Sequence, residues 1–284
     1  MSGYLEGVLV LLAINIILAY AAFLPIVAGQ LNLGIAGFMA VGAYISAYLS
    51  NQHGVAPILA SLVAMALTGV VGLIVAFPIL RTRGIYLALA TFAFAQVVQA
   101  TILNLDVVGG ASGYPVSTFL GFPAIATTAV IVFVAIVLLF NTRFGISVTA
   151  VSDDETAADQ MGLSARGLQT AAFTIGAAVA GLAGGLQAHH FSYIEAQNFN
   201  VLLSIYVVLY VLLGGTQTVL GPLLGAAVFT LLPEVLRGSA EWRYVIFAVL
   251  ILLLMLWRPQ GVLTGALLRR LFSARRDVLA GGGT

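Results

Sequence analysis

The sequence contains no cysteine and no lysine. Without cysteine, the chain has neither a disulfide nor a thiolate metal ligand. Without lysine, it has no phosphate-binding P-loop of the kind found in ATPases and no Schiff base. If ATP drives the activity of this protein, another chain has to bind the ATP.

Charged residues are also scarce, at 7% of the 284 residues, whereas 61% are hydrophobic. Soluble domains carry roughly 25% charged residues. The composition therefore predicts an all-α polytopic membrane protein with a single transmembrane domain over residues 1–284. The length leaves room for about nine transmembrane helices. The first apolar run lacks the basic start and cleavage site of a signal peptide, so we expect a retained span.

Apolar stretches define the predicted spans. They cover residues 5–27, 31–49, 57–80, 85–103, 123–140, 168–188, 199–213, 219–236 and 244–257. The second span is rich in glycine, with Gly34, Gly37 and Gly42 inside it, which leaves open whether it is one helix or a broken one. None of the spans has a charged residue near its middle, which disfavours an ion-coupled carrier.

The arginines predict the orientation in the membrane. With nine spans, Arg81, Arg83, Arg143, Arg166 and the basic tail 258–284 fall on one side, and only Arg237 and Arg243 fall on the other. The positive-inside rule places the richer side in the cytoplasm. We therefore expect the loop 141–168 and the C-terminus in the cytoplasm, and the N-terminus outside.

The loop 141–168 is the longest polar interruption of the chain. It holds four of the ten acidic residues, Asp153, Asp154, Glu155 and Asp159. Helical spacing predicts a short helix here, with the acids near its positive N-terminal end. Two readings stay open: a helix that a partner protein contacts, or an ordinary amphipathic loop helix with solvated acids.

Two further features have structural alternatives. Gly181 and Gly185 have the spacing of close helix packing, either within this chain or against a partner membrane subunit. The adjacent residues His189 and His190 would point roughly 100° apart on a helix, so anchoring or loop hydrogen bonding is favoured over metal binding. The outer loops 104–122 and 189–200 are long enough to form short surface elements.

Six distinctive segments follow one another along the chain. They are GQLNLG at 29–34 with GAY at 42–44, RGIYLALATFAFAQ at 83–96, GGASG at 109–113, AGLAGGL at 180–186, LGGTQTVLGPLLGA at 213–226 and RPQGVL at 258–263. In this order they resemble the branched-chain amino-acid permeases of ABC importers, most closely the LivM-type subunit. One departure is Val108, where the family usually has threonine.

The loop 141–168 adds to this resemblance. Residues 148–163 are similar to the coupling helix of ABC-importer permeases, which in many importers reads EAA, three residues, Gly. Thr156 stands in place of that glutamate, and Glu155 precedes it. The resemblance implies contact with an ATPase, for which the candidates are Val151, Ser152, Asp153, Asp154, Glu155, Ala157, Ala158, Met161, Gly162 and Leu163. We expect the apolar positions to form most of the contact.

The remaining candidate residues are polar or aromatic groups in or near the spans and an outer loop. For the solute pathway the candidates are Asn32, Tyr86, Thr91, Phe94 and Gln96, with hydrogen bonding or packing between helices as the alternative. For docking of a solute-binding protein the candidates are Gly109, Gly110, Ser112 and Gly113, with a plain tight turn as the alternative.

The resemblance also implies function and partners. It implies a non-enzymatic permease subunit in a bacterial inner membrane, which works with a LivH-like permease, two cytoplasmic ATPase subunits and an extracytoplasmic solute-binding protein. ATP and magnesium would be bound by the ATPases, with no cofactor in this chain. The expected solutes are branched-chain or related small amino acids, with urea or short amides as the alternative. Two alternatives from other functional classes also remain open. One is a carrier or channel that acts alone, and the other is a membrane scaffold that transports nothing.

Overall fold

The computed structural model describes residues 3–235 and the isolated positions 246, 249 and 252. The α-helices of residues 3–235 are α1 (Gly3–Val27), α2 (Ile35–His53), α3 (Pro57–Ile79), α4 (Ile85–Leu103), α5 (Phe122–Phe140), α6 (Arg143–Asp153), α7 (Glu155–Gln160), α8 (Ala165–Phe191), α9 (Val201–Gly214) and α10 (Gly221–Val235). The basic tail, Arg237, Arg243 and, apart from the isolated positions, the predicted span 244–257 lie outside the described residues.

Within the described residues, six helical segments are long and apolar enough to cross a membrane. They are α1, α3, α4, α5, α8 and the segment Ala196–Gly214, which contains α9. The expectation of an all-helical, multi-pass membrane protein is confirmed. The helix α10 is apolar but shorter, and polar residues crowd the end of α2, so the count of nine spans stays a prediction.

The helix α8 forms the centre of the bundle and packs against α1, α2 and α3. Small residues make this close packing possible. A Cβ on Gly181 would overlap Thr68 of α3, one on Gly185 would lie 2.8 Å from the Ser61 hydroxyl, and one on Gly184 would lie 2.9 Å from the backbone nitrogen of Ala43 in α2. The spacing of Gly181 and Gly185 therefore serves packing within this chain.

The second predicted span is one continuous helix that starts later than the sequence suggested. Residues 28–34 are not helical, and α2 begins at Ile35. Gly37 and Gly42 lie inside α2 and do not break it. Because they have no side chains, Ala95 of α4 packs closely against Gly37, and Gly181 of α8 packs closely against Gly42. The break therefore precedes the helix. We refer to residues 28–34 as the α2 link.

The polar stretch forms two helices where the sequence predicted one. Asp154 ends α6 and begins α7. Its Oδ1 accepts the backbone N–H groups of Thr156, at 2.9 Å, and Ala157, at 3.0 Å. An aspartate side chain competes with helical hydrogen bonding for these N–H groups and so favours a helix start over a helix interior.

The two loops that the sequence predicts to lie outside, 104–122 and 189–200, are joined to each other, and we keep the name outer loops for them. A two-residue strand β1 (Tyr114–Pro115) pairs antiparallel with β2 (Tyr193–Ile194). Short 3-10 turns flank the strands at Asp106–Val108, Gly110–Ser112 and Ala196–Asn198. The expected surface elements are present, and they fold together as one unit.

Candidate functional site

The α2 link is a partly buried stretch of irregular backbone between α1 and α2, in which Ala28, Gln30, Asn32 and Gly34 are buried. The first N–H groups of a helix have no partner within that helix. Here Gly34 donates to Asn32 Oδ1 at 2.7 Å, and Ala36 donates to Ser204 Oγ of α9 at 2.9 Å. Leu33 donates to Thr91 Oγ1 of α4 at 3.0 Å. Side chains from two other helices thus hold the start of α2.

Three of the predicted pathway residues come together at this link. A Cβ on Gly34 would lie 3.0 Å from the Thr91 carbonyl oxygen, 3.1 Å from Asn32 Oδ1 and 3.4 Å from the Phe94 ring. Of the other two, Tyr86 is 70% exposed and Gln96 is half-buried, both on α4. The α2 link is therefore where the predicted pathway residues concentrate.

The Thr91 hydroxyl forms hydrogen bonds within the protein. It accepts from Leu33 and donates to the Ala88 carbonyl at 2.9 Å. Ser204 has the matching role on α9, and the sequence reasoning did not single it out. The single serine inside the apolar run of α9 is the signal that would have pointed to it, because a buried polar group needs a partner.

The predicted ATPase contacts divide between buried and exposed positions. Val151 and Ala158 are buried together with Ala165, and the half-buried Leu163 packs against them. Met161 is 74% exposed at the end of α7. The other exposed candidates are Ser152, Asp153, Asp154 and Gly162. In this structure the apolar side of α6 and α7 faces its own chain, and Met161 is the large apolar candidate that remains accessible.

The segment formed by α6 and α7 approaches the membrane bundle at two further points. Arg83, in the loop before α4, pairs with Glu155 of α7 at 3.2 Å. Gly29 of the α2 link lies near Ser152, so that a Cβ there would be 3.7 Å from the serine Oγ. The segment therefore pairs with the loop before α4 and lies beside the α2 link.

Arginines gather at this same end of the bundle. Arg81, Arg83 and Arg166 line one polar cavity together with Glu155 and Gln30. The grouping that the sequence predicted for these three arginines is thus present in space.

The opposite end carries the glycine-rich outer loop. Gly109, Gly110 and Gly113 have φ values of 82°, 50° and 78°, a region that favours glycine over residues with a side chain. The Tyr193 hydroxyl donates to the Ser112 carbonyl. The four predicted docking residues therefore form a tight turn that the second outer loop holds in place.

His189 connects this outer unit to the bundle. It is fully buried, and its Nε2 lies 2.8 Å from Ser46 Oγ while its Nδ1 lies 2.8 Å from Thr118 Oγ1. His190 Nδ1 lies 3.0 Å from the Leu120 carbonyl oxygen. Both histidines take part in loop hydrogen bonds. Among the described residues, no cluster of three or more His, Cys, Asp or Glu is arranged to hold a metal ion.

The described residues combine apolar helices long enough to cross a membrane with a partly buried irregular link and a helical segment at the arginine-bearing end, which defines the class of multi-pass membrane proteins. Residues 4–256 match the family described as "Branched-chain amino acid transport system / permease component". The chain belongs to this family.

Individual relatives support this assignment. The chain is similar to the high-affinity branched-chain amino acid transport system permease protein LivM of Escherichia coli, with 31% identity over 83% of this chain and 64% of the relative. It is 30% identical to the Salmonella typhimurium LivM protein over the same shares. A probable LivH permease of Methanocaldococcus jannaschii is 25% identical over 90% of this chain and 89% of the relative.

The chain spans about 64% of the length of the two enterobacterial LivM proteins that it matches. No solved structure matches it.

Proposed function

We propose that this chain is the LivM-like permease subunit of an ATP-driven importer. It works with a LivH-like permease, two cytoplasmic ATPase subunits that bind ATP and magnesium, and an extracytoplasmic solute-binding protein. The family of the chain supports this proposal, as do relatives that carry the names LivM and LivH. We propose branched-chain or related small amino acids as the solutes, because the names of those relatives specify branched-chain amino acid transport.

One observation carries the proposal: the segment of α6 and α7 has a free outer surface and direct contacts with the bundle. Met161 and Gly162 are exposed at its tip, where an ATPase subunit binds. Its inner side packs through Val151 and Ala158. A partner that moves the tip therefore moves a packed unit rather than a loose loop.

Two neighbouring positions carry this movement into the membrane. The Arg83–Glu155 pair passes it to the start of α4, and Ser152, which lies near Gly29, passes it to the α2 link. The pathway residues Asn32, Thr91 and Phe94 surround that link. Movement of the link alternates their access to the two sides of the membrane.

The orientation follows from the same assignment. The arginine-bearing end with α6 and α7 faces the cytoplasm, and the N-terminus of α1 lies outside. The outer unit built on Gly109, Gly110, Ser112 and Gly113 faces the solute-binding protein. Attachment of a membrane-impermeant maleimide to Met161→Cys or Val107→Cys in whole cells and in inverted vesicles tests this. Labelling of Met161→Cys in whole cells would contradict the orientation.

Copurification tests the partnership. The chain is coexpressed with the LivH-like permease and the ATPase subunits of its own organism, and the ATPase retained with it is measured. Met161→Arg places a charge on the exposed tip, so we expect at least a fivefold loss of retained ATPase. The matched control is Val107→Arg, an equally exposed apolar position on the outer loop. Equal retention in both variants would contradict the coupling role.

Reconstitution in liposomes separates this proposal from a stand-alone carrier or channel. We expect uptake of L-leucine, L-isoleucine or L-valine only with the full set of subunits and ATP. Full uptake by this chain alone without ATP would contradict the proposal. Uptake of urea or short amides in place of amino acids would keep the importer assignment and replace the solute.

A further inference from the structure

A polar cavity of about 150 Å³ lies between the start of α4, the α2 link, α7 and the start of α8. Its lining is Gly29, Gln30, Leu80, Arg81, Thr82, Arg83, Gly84, Leu87, Glu155, Arg166 and Gln169. Only the two leucines are apolar, so the cavity suits a small charged group rather than an aliphatic side chain.

The cavity has an excess of positive charge. Three arginines line it against one acid, Glu155. Arg83 pairs with that acid, whereas Arg81 and Arg166 form no ion pair within residues 3–235. The helix α4 starts at this cavity after Gly84, with no side-chain cap on its first N–H groups. A helix N-terminus and free guanidinium groups both favour an anion.

One buried acceptor in the lining is unused. Gln30 is only 3% exposed, and its Oε1 has no hydrogen-bond partner among the described residues. A buried carbonyl oxygen without a donor costs free energy, so native structures nearly always provide a donor. An N–H donor beside the anionic group of a ligand would satisfy this oxygen once the Gln30 amide turns toward the cavity, because the oxygen itself has almost no accessible surface.

We propose that the cavity binds the head group of a free α-amino acid on the cytoplasmic side of the membrane. The carboxylate binds to Arg166, which is unpaired among the described residues, to the first N–H groups of α4 and, in competition with Glu155, to Arg83. The ammonium group donates to Gln30 Oε1. The small volume leaves the amino-acid side chain outside, so the site recognises the head group that all α-amino acids share. This inference rests on the proposed function for the kind of solute that reaches the site.

Binding at this position affects the ion pair beside it. A carboxylate in the cavity competes with Glu155 for the Arg83 guanidinium. Occupancy therefore loosens the contact between α7 and the loop before α4. A high cytoplasmic concentration of amino acid then slows transport by weakening the ion pair that carries movement to the start of α4.

The test measures binding of radiolabelled L-leucine to the assembled transporter in nanodiscs, without the solute-binding protein. We expect saturable binding. Leucinol, which lacks the carboxylate, and 4-methylpentanoate, which lacks the ammonium group, should each compete at least tenfold more weakly than L-leucine. This comparison separates a head-group site from a site for simple anions.

Variants locate the bound leucine. Arg166→Gln and Arg83→Gln change exposed side chains, so they leave folding intact, and each should weaken binding about tenfold. Gln30→Leu should weaken it as well. The control is Arg143→Gln, an exposed arginine on α6 that does not line the cavity. Leucine held elsewhere in the transporter would bind equally well to Arg166→Gln and Arg143→Gln, which would overturn the inference.

The same preparations separate this inference from the proposed function. Absence of saturable leucine binding overturns the inference whether or not the transporter takes up amino acids. Binding that depends on Arg166 in a transporter without amino-acid uptake supports the inference and overturns the proposed solute. Equal competition by 4-methylpentanoate and L-leucine overturns the head-group assignment.

Discussion

Ser204 Oγ accepts the backbone N–H of Ala36 at 2.9 Å, a hydrogen bond between residues 168 positions apart. Ser204 lies on α9, so an N–H group at the start of α2 finds its acceptor on a different helix. Gly34 at the N-cap position offers no side chain for this purpose. The start of α2 is therefore fixed only when α9 is in place, which makes this hydrogen bond a test of the assembled bundle.

Replacing this hydroxyl should destabilise the protein. Ser204→Ala leaves the Ala36 N–H buried without an acceptor, which costs roughly 1–3 kcal/mol of unfolding free energy. Denaturant unfolding in detergent micelles measures the loss. Ser152→Ala, at an exposed serine, is the control and should have little effect. Equal stability of the two variants would show that water or another group satisfies Ala36.

Thr91 distinguishes a structural role from a role in the solute pathway. Thr91→Val keeps the shape of the side chain but removes the acceptor for the Leu33 N–H, so we expect a loss of roughly 1–3 kcal/mol. Thr91→Ser keeps the hydroxyl and should retain most of the stability. Thermal unfolding and the rate of solute uptake are measured in parallel. Normal stability with reduced uptake in Thr91→Val would assign the hydroxyl to the solute instead.

The contact of α2 with α8 depends on the absence of a side chain at Gly42. A Cβ there would overlap the backbone of Gly181, so Gly42→Ala should force the two helices apart and lower the yield of folded protein severalfold. Gly7→Ala in α1 is the matched control, because nothing lies within 4 Å of its Cβ position. It should be neutral or stabilising by up to about 1 kcal/mol. Size-exclusion chromatography after solubilisation compares the two.

His189 holds the outer unit through two side-chain hydrogen bonds. His189→Leu removes the partner of Thr118 and one partner of Ser46, so we expect a loss of about 1–3 kcal/mol. Cleavage between β1 and α5 by an added protease should also become faster. His53→Leu, at an exposed histidine, is the control. Unchanged cleavage in His189→Leu would mean that the strand pair alone fixes the loop.

The sequence alone predicted much of the fold because spans and arginine placement are local signals. An apolar stretch of about 20 residues predicts a transmembrane helix without information from the rest of the chain. Helix α4 begins and ends where its apolar run does, at Ile85 and Leu103. The gathering of Arg81, Arg83 and Arg166 at one end follows from counting crossings.

The α2 link could not be predicted in this way. Its hydrogen-bond partners, Thr91 and Ser204, lie far away in the chain, and only the folded bundle brings them to Leu33 and Ala36. The inner side of α6 and α7 was missed for a different reason. An apolar stripe that packs within its own chain has the same spacing as one that a partner covers, and Val151 belongs to the first kind in this structure.

The junction between α6 and the α2 link depends on backbone geometry. Gly29 has φ 76°, a conformation that strains a residue with a side chain, whereas a Cβ there would lie at the ordinary van der Waals distance of 3.7 Å from Ser152 Oγ. The direction of the main chain therefore requires this glycine, and lack of space does not. An alanine at position 29 would fit beside α6 and would still strain the turn into the link.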